Sequence, residues 1–84
     1  MCRNITVLRG LEPAATEAEI EAAARQYVRK VSGIRAPSVP AEPAFEQAVR
    51  AVTAATVSLL SSLPPRRQPP PSLPPLRRRQ GASA

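Results

Sequence analysis

Cys2 carries the one soft nucleophile in this sequence, and it stands beside the initiator Met1. A methionine before a small residue is usually removed, which would leave a terminal cysteine bearing both thiol and amine. The cation of Arg3 and a nearby helix N-terminus would favour the thiolate. Cys2 is therefore a candidate reactive thiol, for a redox response or for a metal shared across a dimer. The plainer reading is an incidental cysteine at a frayed end. The sequence has no histidine, so Ser-His-Asp and Cys-His arrangements cannot be built, nor can the usual zinc sets. No cofactor is expected. One cysteine cannot form an internal disulfide, and a reducing cytoplasm is the expected setting.

The remaining chemistry is charge. Arg25, Arg29 and Lys30 lie on or beside one flank of a helical stretch and form a candidate partner-binding patch. The plain alternative is a solvated face on which Glu21 pairs with Arg25 at i,i+4. A second set, Arg66, Arg67, Arg77, Arg78 and Arg79, brackets a proline-rich run and is a candidate phosphate-binding arm. Polyproline II, rising about 3.1 Å per residue, would hold its two clusters roughly 30 Å apart. Such an arm can displace counterions from a polyanion. It lacks the aromatics that stack on bases. The same run contains a PxxP (Pro71 to Pro74), but Arg77 comes one position late for the usual SH3 ligand. The six glutamates cluster around expected helix starts, where their charge suits the dipole. Nothing places two carboxylates across a pocket, and the chain is read as non-enzymatic.

Two helices have to position these groups. Thr16-Glu17-Ala18-Glu19 has the form of a capping box. Ile20, Ala24, Tyr27, Val28 and Val31 follow with helical spacing, Arg29 and Lys30 suit the C-terminal dipole, and Gly33 supplies a stop. This predicts a helix over 17–32. Pro37 and Pro40 keep 34–41 irregular. Pro43 suits a first helical turn, and Phe45, Val49, Val52, Thr56, Leu59 and Leu63 alternate spacings of four and three, predicting a second helix over 42–62. Its β-branched middle, Val52 to Val57, has poor intrinsic propensity, so packing has to hold it. Pro64-Pro65 ends it. Residues 4–10 are ambiguous. Asn4 and Gly10 would frame a short helix, the favoured reading, while Ile5-Thr6-Val7 would suit an extended segment.

Composition divides the 84 residues at Leu63. Residues 1–63 hold seven basic and six acidic side chains, whereas 64–84 hold five arginines, no acid and seven of the eleven prolines. The net charge of +6 therefore sits mainly in the tail. The first part is a domain and the second is expected to be a disordered basic arm. A domain this small buries only about 60% of its unfolded surface. With Tyr27 and Phe45 as the only aromatics, it is expected to be weakly stable or completed by a partner. No apolar run reaches the roughly 18 residues of a membrane span. The surplus of arginine over lysine and the abundance of alanine are also what GC-rich codons yield.

The opening Met1-Cys2-Arg3-Asn4-Ile5, the Pro13-Ala14-Ala15-Thr16 lead-in, the segment Val28-Arg29-Lys30-Val31-Ser32-Gly33 and the later Pro37-Ser38 resemble a family of small bacterial proteins known only as a domain of unknown function. The likeness covers residues 1–63 and implies no activity. A weaker likeness links residues 8–31 with the J-domain, the cochaperone module of DnaK-type ATPases. Leu8, Gly10 and Leu11 imitate its leucine-glycine turn with one extra residue, and Thr16 to Ile20 imitates its second-helix start. Ala23, Arg25, Lys30 and Phe45 stand where that family has the same residue types. Where it closes the helix with His-Pro-Asp, this chain has Ser32-Gly33-Ile34, and its mid-helix tyrosine is Ala24. The resemblance therefore implies a J-like docking fold without ATPase stimulation.

The resulting expectation is all-α: an antiparallel helical hairpin (J-domain-like) over 1–63, with a short N-terminal helix or extended segment, and a disordered Pro/Arg-rich tail over 64–84. Its expected role is as a protein interaction or adaptor module, self-associating through apolar surface around Val57 and Leu60. The alternative is an accessory nucleic-acid binder gripping phosphate with the tail. A ribbon-helix-helix repressor would be one form of that, but it needs Ile5–Arg9 paired as strands, with Leu8 awkwardly on the face of Asn4 and Thr6.

Overall fold

The computed structural model describes residues 5–64 and 72–77. Its two helices, α1 (Glu17–Ser32) and α2 (Glu42–Ser62), have the bounds that the local signals predict. At the start of α1 the Glu19 N–H donates to the Thr16 hydroxyl (3.1 Å), and the Thr16 N–H donates to Oε1 of Glu19 (2.8 Å). The capping box thus satisfies two backbone donors that a helix start leaves unpaired. At the other end Gly33 turns left-handed (φ 71°), and its N–H reaches the Arg29 carbonyl at 3.0 Å. Only glycine enters that region without a Cβ clash.

The connection, residues 33–41, closes on Ser38, whose carbonyl accepts from the N–H groups of Ala41 (3.0 Å) and Glu42 (2.9 Å). At this start of α2 the methyl of Ala41 makes no side-chain cap, and the missing N–H of Pro43 costs nothing in a first turn. In the β-branched middle the hydroxyls of Thr53 and Thr56 donate back to the carbonyls of Val49 and Val52, both at 2.7 Å. Such bonds let a threonine sit in a helix without an unpaired hydroxyl.

The helices run antiparallel because their contacts pair opposite ends. Ala24 and Val28 of α1 pack on Phe45 and Val49 of α2, with Ile34, Ala48 and Val52 around them. Toward the other end Ile20 joins Leu8 and Leu11, with Leu60 against them. That second cluster needs the N-terminal segment, which is not a helix. Residues 5–8 form neither helix nor strand, and a turn follows in which Gly10 takes φ 90°. The favoured short helix is thus not formed over 5–10. A helix of seven residues carries its nucleation cost over very few bonds, whereas the irregular run lays Leu8 and Leu11 on Ile20. Leu8 being buried within the one chain also leaves no free ribbon to pair across a dimer.

Two stripes deviate from the spacing pattern. Tyr27 and Val31 stand out from the α1 interface, and on α2 the buried line runs Phe45, Val49, Thr53 rather than staying on the heptad positions. A straight helix of 3.6 residues per turn drifts off a seven-residue repeat. Within the stretch expected to lie apart from the domain, residues 72–77 are described, and they lie against it. Pro74 is buried, and 75–77 make a single helical turn.

Candidate functional site

Among the described residues, oppositely charged side chains meet at two places. Midway along α1, Arg25 donates from Nη1 to Oε2 of Glu46 (2.7 Å) and from Nη2 to Oε1 (3.0 Å), and Nη2 also reaches Glu21 at 3.2 Å. Its guanidinium carbon lies 5.9 Å from the Phe45 ring centroid. The bonds from Arg25 hold the Glu46 carboxyl below the usual carboxylate range, and Glu46 in turn raises the Arg25 guanidinium still further from neutrality. This forked bond ties α1 to α2. Arg25 therefore serves the hairpin's own interface, which i,i+4 pairing alone does not reveal.

The rest of the basic patch is divided. Lys30 is exposed, while the Nε of Arg29 is buried without a hydrogen-bond partner among the described residues. The structure does not bring Arg25, Arg29 and Lys30 together as one free basic face.

The second meeting place joins the start of α1 to the tail. Arg77 Nε donates to Oε2 of Glu19 at 2.6 Å, and its Nη2 donates to Oε1 at 3.1 Å. The same Nη2 reaches the carbonyls of Pro13 (2.7 Å) and Ala14 (3.1 Å). The side chains of Arg77 and Glu19 are only 14% and 6% exposed. Burial by itself would push the Glu19 carboxyl up; the bonds from Arg77 and Thr16 outweigh it and hold the group below the usual range. Sequence reasoning placed Arg77 with the phosphate-binding arginines, and nothing local indicated this partner. Arg66, Arg67, Arg78, Arg79 and Cys2 lie outside the described residues.

A third contact was also missed. Arg9 donates from Nε (3.1 Å) and Nη2 (2.8 Å) to the Pro64 carbonyl. The last turn of α2 carries no basic residue of its own, so Arg9 supplies from the N-terminal segment the cation that a helix C-terminus favours.

The two sides of the helix pair differ. One side is a groove of about 600 Å³ that Glu17, Glu21, Glu46 and Arg50 make polar, and Val57 lies on its wall. The other is a groove of about 300 Å³ lined by Tyr27, Val52, Thr56 and other uncharged residues. Among the described residues no cluster of three potential ligands could hold a metal ion. No helix among them is long and apolar enough to cross a membrane.

A family model described as an uncharacterized conserved protein (DUF2277) matches residues 1–84. The match runs past residue 63 through the proline-arginine tail, further than the resemblance in the opening residues reached. No curated protein and no solved structure matches the chain.

Proposed function

The chain belongs to this family of uncharacterized conserved proteins, whose description names no activity, and we propose that it is a non-enzymatic protein interaction module that pairs with a second copy of itself. The observation that carries this reading is the uncharged side of the hairpin. Tyr27 is 48% exposed there beside Val52 and Thr56. Val31, one turn beyond Tyr27, and Leu59, one turn beyond Thr56, extend the apolar stripe, and Leu59 is 55% exposed. A face without charge is complementary to itself across a twofold axis, whereas the groove on the other side carries Glu17, Glu21, Glu46 and Arg50, which keep it in water. The small core supports the same conclusion, since it leaves several large apolar side chains in water.

Of the pair Val57 and Leu60, Leu60 lines the uncharged groove while also packing, partly buried, against Leu8, Leu11 and Ile20, whereas Val57 lies on the wall of the polar groove. The nucleic-acid reading is less favoured, because Arg77 of the arm is bound to Glu19.

Sedimentation equilibrium of the full chain tests the proposal. We expect a concentration-dependent dimer, and a monomer of unchanged helicity for Leu59→Glu. A wild-type chain that stays monomeric up to millimolar concentration would remove self-association as its function.

A further inference from the structure

The Glu19–Arg77 contact has the form of a receptor and its ligand. Everything on one side comes from the N-terminal segment and α1: the two carboxylate oxygens of Glu19, and the carbonyls of Pro13 and Ala14. All four are acceptors, and they converge on one guanidinium. A planar fork of N–H donors fits such a set, whereas the point charge of a lysine does not. Beside it, Thr6, Leu8, Ala22 and Ala23 form a slot that takes Pro74, Pro75 and Leu76, leaving only about 10 Å³ of free space. The ligand side is a short run, Pro74 to Arg77, shaped into one turn by the Arg77 N–H bonding the Pro74 carbonyl at 3.0 Å. Only residues 65–71 connect it through the chain to the end of the hairpin.

From this geometry we infer that the hairpin contains a peptide-binding site for an arginine preceded by Pro-Pro-Leu, filled in cis by the chain's own tail and open in trans to a segment of the same chemistry on another protein. One feature supports recognition over incidental packing: four acceptors converge on a single guanidinium while Pro74, Pro75 and Leu76 fill the adjoining slot. With Arg77 in place the Glu19 side chain is 6% exposed, and a charge-assisted fork is strongest where water is kept out. The tethered tail acts as an internal competitor. A short linker holds it at an effective concentration in the millimolar range, so an outside peptide binds well only when the tail is removed from the cradle or outcompeted. The inference shares with the dimer proposal only the idea that this chain binds polypeptide. Its slot adjoins the uncharged groove and shares Thr6, Leu8 and Ala23 with it, but peptide affinity and oligomeric state are separate readouts, so either proposal can fail alone.

The test uses the full chain and a fluorescent peptide, Ser-Leu-Pro-Pro-Leu-Arg, copied from residues 72–77. Anisotropy titrations should show this peptide binding Arg77→Ala at least about tenfold more tightly than wild type, because the competing tail has lost its anchor. Replacing the peptide's arginine by citrulline or lysine should weaken binding to that variant at least about tenfold. Equal affinity for wild type and variant, or indifference to citrulline, would overturn the inference. So would the absence of binding below millimolar to a variant with wild-type circular dichroism. If Arg77→Ala has lost helix, the arginine peptide should restore it and the citrulline peptide should not; failure to restore it also counts against the site.

Discussion

Arg25, on one helix, donates two hydrogen bonds of 2.7 and 3.0 Å to the carboxylate of Glu46, 21 residues away on the other, while its guanidinium lies over Phe45. The pair stands at the margin of the Phe45–Val49 cluster and sets how α1 faces α2. Glu21 binds the same Arg25 from within α1, but its side chain is half exposed, and exposed pairs contribute little.

Arg25 should therefore matter more than the i,i+4 pair. Arg25→Ala is expected to lower the melting temperature by clearly more than Glu21→Gln, which removes only the exposed bond. Arg25→Lys should recover part of the loss, because an ammonium cannot make the forked contact. Thermal unfolding of the three variants, read by circular dichroism, checks the order. If Glu21→Gln matched Arg25→Ala, the interhelical bond would have no special role.

Acid should act through Glu19. Its folded carboxyl is held below the ordinary range, so the folded state binds the proton less readily than the unfolded chain. The associated stability is present above the unfolded glutamate value of about 4.3 and is lost as pH falls below it. Glu46 is shifted in the same direction and adds to the loss in the same window. Denaturation midpoints measured from pH 7 to pH 3 should fall most steeply below about pH 4.3. Glu19→Gln, which keeps the cap acceptor, should flatten that fall in part, and adding Glu46→Gln should flatten more of it. A profile identical to wild type in the double variant would contradict this origin.

Gly33 offers a backbone test free of packing. A Cβ added there would meet no atom within 4 Å, yet φ is +71°. Gly33→Ala should cost about 1–2 kcal/mol, the usual penalty for an L-residue in the left-handed region. Gly33→Asn should cost less, since asparagine visits that region more readily. Chemical denaturation of both variants measures the difference, and an alanine as stable as glycine would show that the turn relaxes.

The helix bounds were legible from the residues because they depend on neighbours in the chain. Thr16 and Glu19 cap each other across three positions, Gly33 ends α1 by its own conformational freedom, and Pro43 and Pro64 delimit α2 by what they cannot donate. Short-range chemistry of that kind is written locally. Which stripe faces inward was only partly legible. Thr53 replaced a heptad position in the buried line because the helix drifts off a seven-residue repeat.

The long-range pairings were decided by the tertiary structure alone. Arg9 finds the Pro64 carbonyl 55 residues away, Arg25 finds Glu46, and Arg77 finds Glu19 across 58 residues. An arginine's type says that it needs acceptors, but its position in the chain does not say which acceptors the fold brings near. Residues 5–11 show the same division: their apolar character was plain, but an irregular run with a turn prevailed over a helix where Ile20 and Leu60 were there to receive Leu8 and Leu11. Local sequence thus set where this chain is helical. Tertiary packing decided which of its charges are engaged within the fold, because burial and proximity arise only once distant segments meet.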